Sequence, residues 1–206
     1  MVYDDKKFST VGAANTIFQW EDVIASVGYK TFSALRNNEG DALVTTTQIS
    51  NDWNTNRTTT GTTEINFDHE FLAASDIGGT GFCTATIETS NGSSSGSATI
   101  SVRLIHVDSS ATEDEIVGTV TSDAVSSTNS EASRRVSVSL TIPLTHFSIG
   151  EKLRLEVSFN NTAGSAHTAH LYHDPANRIG TVSNDMIVGA APRTDLTLTL
   201  PFRLPV

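Results

Sequence analysis

The chain is poor in cysteine, in charge and in long apolar runs, and each scarcity excludes something. Cys83 is the single cysteine, so no intramolecular disulfide forms. It lies in Gly81-Phe82-Cys83-Thr84-Ala85, which reads as strand, and a buried, inert thiol is expected there. No apolar run is long enough for a membrane helix, so no membrane partner is expected. Met1-Val2-Tyr3-Asp4-Asp5-Lys6-Lys7 lacks the apolar core of a secretory signal, so synthesis in a cytoplasm is expected. Charged residues make up only 17% of the chain, and 13 Lys and Arg face 23 Asp and Glu, a net charge of -10. Such a surface repels nucleic acid and anionic lipid, and no nucleic-acid partner is expected. The acidity reads first as a device for solubility.

Signatures of catalysis are scarce as well. A serine hydrolase of the common α/β form needs a Gly-x-Ser-x-Gly nucleophile elbow, and no elbow is read in this chain. Serine and threonine together form about a quarter of the residues, so chance triads mean nothing. Gly78-Gly79-Thr80-Gly81 lacks the lysine and following helix of a phosphate loop and reads as a turn before a strand.

What the chain has is strict alternation. Leu153, Leu155, Val157 and Phe159 interleave with Lys152, Arg154, Glu156 and Ser158. Val136, Val138, Leu140, Ile142 and Leu144 behave the same way, as do Leu196, Leu198, Leu200, Phe202 and Leu204. Successive strand side chains point to opposite faces, so each segment carries one oily and one wet face. Strands are expected over 42–50, 62–72, 80–89, 97–108, 114–121, 133–144, 152–160, 166–173 and 194–204. Asn91-Gly92 with its serines reads as a hairpin loop, and 122–133 and 174–192 read as longer loops. The fold class is therefore all-β, an antiparallel β-sandwich of jelly-roll type, with an immunoglobulin-like sandwich second.

The first forty residues read differently. Trp20, Val23, Ile24 and Val27 fall on one face of a short helix stopped by Gly28. Residues 1–40 are thus expected to form an arm with a short helix, and 41–206 the sandwich. Phe18, Trp20, Val23, Ile24 and Val27 are the expected partner-binding residues of that arm.

Several clusters carry groups capable of chemistry. His167, His170, His173 and Asp174 hold the right donors for zinc or copper. On a strand, however, only His167 and His173 share a face, roughly 20 Å apart at about 3.3 Å per residue. Asp68 and Glu70 sit two apart, as glycosidase carboxylates can, and read as solvated acids. Glu113-Asp114-Glu115 with Asp108 offers oxygens for calcium without the loop pattern that holds it. No metal, no cofactor and no catalytic residue is expected. Trp53, set among polar residues, is the expected platform if the chain binds a glycan.

Ile142-Pro143-Leu144-Thr145-His146-Phe147-Ser148-Ile149-Gly150-Glu151, followed by alternating Leu153-Arg154-Leu155, resembles a pattern in β-sandwich virion proteins of tailed phages and tailed archaeal viruses. Leu171-Tyr172-His173-Asp174-Pro175 resembles the tyrosine-acid strand end of the same proteins. The resemblance covers about residues 136–175 and leaves the first forty untouched. It implies a virion structural protein, a capsid decoration (cement) protein or turret component, located in the virion and made in the host cytoplasm. Its implied partners are the major capsid protein or other virion subunits, and its implied state is a homo-oligomer, a trimer. A carbohydrate- or receptor-binding sandwich is the alternative that the residues themselves leave open.

Overall fold

The computed structural model describes residues 16–17, 27–37, 40–44, 54–57, 61–89, 96–127, 132–162, 168–173 and 196–203. Thirteen strands run through them: β1 (Thr16–Ile17), β2 (Val27–Asn37), β3 (Gly40–Val44), β4 (Asn54–Arg57), β5 (Gly61–Glu70), β6 (Ser75–Thr89), β7 (Gly96–Val107), β8 (Glu113–Thr121), β9 (Val125–Ser127), β10 (Ala132–Phe147), β11 (Lys152–Asn161), β12 (Ala169–Tyr172) and β13 (Thr197–Arg203). No helix occurs among the described residues. The expected antiparallel β-sandwich is what forms.

One layer is built around β6. It pairs with β10 along one edge and with β13 and β12, end to end, along the other. β2 then joins β13, β3 joins β2, and β4 flanks β12. The second layer is built around β11, which pairs with β5 on one side and β7 on the other, with β8 and β9 beyond β7. A single parallel bridge, Ala42 to Asp68, links the two layers through β3 and β5. The layers face each other because alternation leaves each with an apolar side that water disfavours. In β11 the inward set is Leu153, Leu155, Val157 and Phe159, all fully buried. Phe67 of β5, Ile100 and Leu104 of β7, Leu140 of β10 and Ile87 of β6 meet them in one core. Each such side chain contributes about 1.5–3 kcal/mol by leaving water.

β2 sits inside this sandwich, which corrects the arm. Its backbone pairs with β13 and β3, and its Phe32 and Ala34 are buried in the core. The boundary expected at residue 40 falls at the β2–β3 hairpin, where Asn37 faces Gly40. Val27, the last residue of the expected helix, opens the strand opposite Arg203, and Gly28 faces Phe202 instead of stopping a helix. The reason is long-range: β13 has a backbone edge to satisfy, and β2 supplies the partner. Phe18, Trp20, Val23 and Ile24 lie outside the described residues, as do Trp53 and the 174–192 loop.

The glycine run is the second correction. Gly78, Gly79 and Gly81 lie within β6, not in a turn before it. A Cβ at Gly78 would stand 2.9 Å from the Leu144 Cα, and one at Gly81 would stand 2.9 Å from the Thr199 carbonyl oxygen and 2.8 Å from Ile142 Cδ1. Glycine is there because neighbouring backbones approach too closely for any side chain. The pairing with β10 shifts register between Ile142 and Thr145, beside this run.

Gly81→Ala is accordingly expected to cost about 1–3 kcal/mol by overpacking. Gly150→Ala, at φ +86° with open space around it, should cost only about 1 kcal/mol of backbone strain. Urea unfolding of both variants measures the order; an unaffected Gly81→Ala would mean that β6 can move away from β13.

Candidate functional site

The outward face of the β11 layer is an ion-pair lattice. Arg154 straddles two strands: its Nε and Nη2 donate to Asp68 Oδ1 and Oδ2 at 2.7 and 3.0 Å, and its Nη1 donates to Glu113. Arg103 Nη2 donates to Glu156 at 2.5 Å, and its Nη1 lies 3.6 Å from Glu115. The Asp68 pair raises the Arg154 pKa further, with Glu113 adding to it. Cross-strand register makes this possible, since Arg154 stands opposite Asp68 and Glu156 opposite Arg103. Asp68 is therefore a partly buried, bidentate salt-bridge partner and not the solvated acid expected from its spacing with Glu70. Glu113 and Glu115 are likewise directed at arginines rather than at a common point.

Two tight loops close one end of the sandwich. Asp108 Oδ1 accepts from the backbone N–H groups of Ser110 and Thr112, both at 2.8 Å. The Thr112 N–H is the main cause that holds the Asp108 carboxyl below its ordinary range. Glu151 Oε2 accepts from the Ser148 N–H at 2.7 Å and lies 3.0 Å from His106 Nε2. The Ser148 N–H, more than His106, lowers its pKa. The Phe-x-x-Gly-Glu sequence is thus a self-capped turn, with Gly150 at positive φ.

The outward face of the β6 layer is different in kind. Thr80, Phe82, Thr84 and Glu88 leave β6 on the side opposite Cys83, Ala85 and Ile87. Phe82 stands between Ser139 of β10 and Thr199 of β13, and Thr199 stands beside Thr31 of β2. The Thr31 and Thr199 hydroxyls are 3.0 Å apart, and those of Thr84 and Ser137 are 3.2 Å apart. Phe82 remains 42% exposed in this setting of hydroxyls. The row Ser139–Phe82–Thr199–Thr31 crosses four strands, about 14 Å at ~4.8 Å per step. Toward β12 the face ends in Tyr172, whose hydroxyl donates to Glu88 at 2.9 Å, with the His170 ring stacked 6.1 Å from it.

This face was half legible. Phe82 falls out of step with the apolar set of its own strand, which is the signal that puts a ring on the wet side. The expected platform, Trp53, lies outside the described residues. Of the histidine group, His170 is on the outward face while His173 is buried, its ring 6.2 Å from that of Phe67. The strand separates them, and His167 and Asp174 lie outside the described residues; no group of three metal-ligating side chains occurs among the described residues. Cys83 is fully buried, and burial pushes its thiol up to about 12. Gly92 to Gly96 does spell Gly-x-Ser-x-Gly, but it joins two strands, β6 and β7, where an elbow requires a helix second.

No protein-family model matches the chain, and no curated protein matches it. Among solved structures, a CocE/NonD family hydrolase from Staphylococcus aureus aligns over 87% of this chain with a TM-score of 0.56 and 11% identity. An aminopeptidase from a marine sediment Thaumarchaeota archaeon aligns over 84% with a TM-score of 0.50 and 7% identity. The chain spans only about 37% of the length of each of those proteins. These likenesses show the fold alone. A carbohydrate-binding module specific for non-crystalline cellulose aligns over 69% of the chain and 77% of its own at a TM-score of 0.36 and 9% identity.

The two loop carboxylates set a pH dependence. Both pKa values are lower in the folded chain, so their stabilisation is complete above the ordinary carboxylate range and is lost as pH falls through it. Melting temperature should therefore fall between about pH 5 and pH 3. An Asp108→Asn, Glu151→Gln double variant should melt lower than wild type at pH 7 and lose less on acidification; parallel curves would rule out these two groups as the source.

Proposed function

We propose that this chain is a non-catalytic β-sandwich binding module that lays a neutral glycan across the outward face of β10, β6, β13 and β2. The observation that carries the reading is Phe82, an exposed ring with serine and threonine hydroxyls on the neighbouring strands. Among the described residues Phe82 is the one exposed phenylalanine, and a sugar ring supplies both apolar C–H groups for its face and hydroxyls for the surrounding Ser and Thr. Of the strands beneath, β6, β13 and β2 are hydrogen-bonded on both edges, so the platform is held rigid and ordering it costs a ligand little. Neighbours of the hydrolase type are more than twice the length of the chain, which suits a role as one module of a larger machine.

A second reading, a virion subunit seated on the major capsid protein as a homotrimer, draws support from a separate observation. Leu72 and Ile149 are 84% and 70% exposed. They lie on two loops tied together by hydrogen bonds from Phe71 N–H to the Glu151 carbonyl and from Gly150 N–H to the Phe71 carbonyl. Such an apolar tip suits contact with another protein.

Glycan-array screening followed by calorimetry tests the first reading. A soluble β-glucan or related neutral oligosaccharide should bind, and Phe82→Ala should weaken it at least tenfold without lowering the melting temperature. Absence of any glycan signal, together with a Leu72→Ser, Ile149→Ser variant that shifts from oligomer to monomer in sedimentation, would replace the first reading with the second.

A further inference from the structure

At the end of the β6 layer away from Tyr172 the sandwich opens into a cleft of about 300 Å³, lined by Lys30, Ala74, Ser75, Asp76, His146, Phe202 and Arg203. Four strands build it. Lys30 comes from β2, two residues before the core residue Phe32 and therefore on the same, inward side. Phe202 and Arg203 come from the last turns of β13, opposite Ile77 and Asp76 of β6, and His146 comes from β10 opposite Asp76.

The charges in this cleft are unevenly matched. His146 Nδ1 lies 2.6 Å from Asp76 Oδ1, so that carboxylate already has a partner. Lys30 has none: its ammonium lies 4.4 Å from the centroid of the Phe202 ring, and no carboxylate of the described residues comes within ion-pair distance of it. Arg203 on the exposed rim stands opposite Asp76 in the strand register but forms no ion pair with it or with any other carboxylate of the described residues. This arrangement stands out in a chain of net charge -10, where carboxylates outnumber cations by 23 to 13. Burial lowers the Lys30 pKa, the mark of an ammonium taken from water without a counter-charge. A ring face compensates such a charge only in part, and a carboxylate adds direct charge pairing and charge-assisted hydrogen bonds.

We propose that this cleft binds a small carboxylate-bearing ligand of hexuronate size, its carboxylate held between Lys30 and Arg203 and its ring against Ser75 and His146. The planar guanidinium of Arg203 can take both carboxylate oxygens in a fork, and Lys30 adds a point charge from below. The cleft volume lies at the small end for ligand pockets, which selects a single ring over a chain. The Asp76 end of this site lies about 20 Å along β6 from Phe82 at ~3.3 Å per residue, and Lys30, next to Thr31 in the chain, is directed to the opposite, inward side of the sheet, so the proposal does not rest on the glycan reading.

Titration of the full chain with D-glucuronate and D-glucose, followed by NMR, tests the proposal. Glucuronate should bind saturably, and at least tenfold tighter than glucose. Lys30→Met, which keeps the stem over Phe202, and Arg203→Gln should each weaken glucuronate at least tenfold, while Phe82→Ala leaves it unchanged. Circular dichroism checks folding; if Lys30→Met does not fold, Arg203→Gln at the exposed rim decides. Glucuronate that fails to bind below about 10 mM, that binds no tighter than glucose, that ignores the folded charge variants, or that is lost in Phe82→Ala overturns the proposal.

Discussion

The structure depends on β6 having a hydrogen-bonded partner along both edges. Residues 75–89 receive β10 on one side and β13 and β12 on the other, which gathers segments from across the second half of the chain onto one strand. Backbone groups buried between two layers must be paired, so this strand cannot be left half satisfied. The requirement reaches into the side chains. Where β10 and β13 crowd β6 most closely, only glycine fits, and the polar run Gly78-Gly79-Thr80-Gly81 is the result. It reaches into the N-terminal part as well, because β13 in turn needs β2, and Phe32 enters the core with it.

The two outward faces have divided the polar residues by chemistry. On the β11 layer, arginines and carboxylates of adjacent strands neutralise one another, with Arg154 bridging Asp68 and Glu113. Exposed pairs of this kind are individually weak, about 0–1 kcal/mol, but the bidentate geometry fixes side chains that would otherwise wander. On the β6 layer the polar groups beside Phe82 are neutral hydroxyls, while the charged Glu88 lies toward β12 in a hydrogen bond with Tyr172. A lattice whose charges are already paired is a poor recognition surface, whereas hydroxyls beside a ring, even when paired with one another, keep further donor and acceptor capacity for a ligand. That contrast, more than any single residue, directs the functional reading to the face carrying Phe82.

Both faces were partly legible. The alternation of Leu153 to Phe159 and of Val136 to Ile142 placed those residues correctly in the core, and the same rule applied to residues 80–89 separates Phe82 from Cys83 and Ala85. Local pattern fails where the decisive partner is distant. Lys30 and Phe32 sit in a region whose apolar spacing read as a helix and an arm, and nothing nearby announces that β13, some 170 residues later, will pair with it. Asp68 looked solvated because its arginine is 86 residues away.

Periodicity of two, low charge and frequent hydroxyls were enough to determine an all-β sandwich with one oily and one wet face per strand, since side-chain direction in a strand is a local property of the backbone. Which wet face became an ion-pair lattice and which became a hydroxyl field with an exposed ring was decided only in the tertiary structure. So was the meeting of Lys30, His146 and Arg203 in one cleft. These outcomes depend on cross-strand register, which is set by packing between segments far apart in the chain and leaves no mark on any one of them alone.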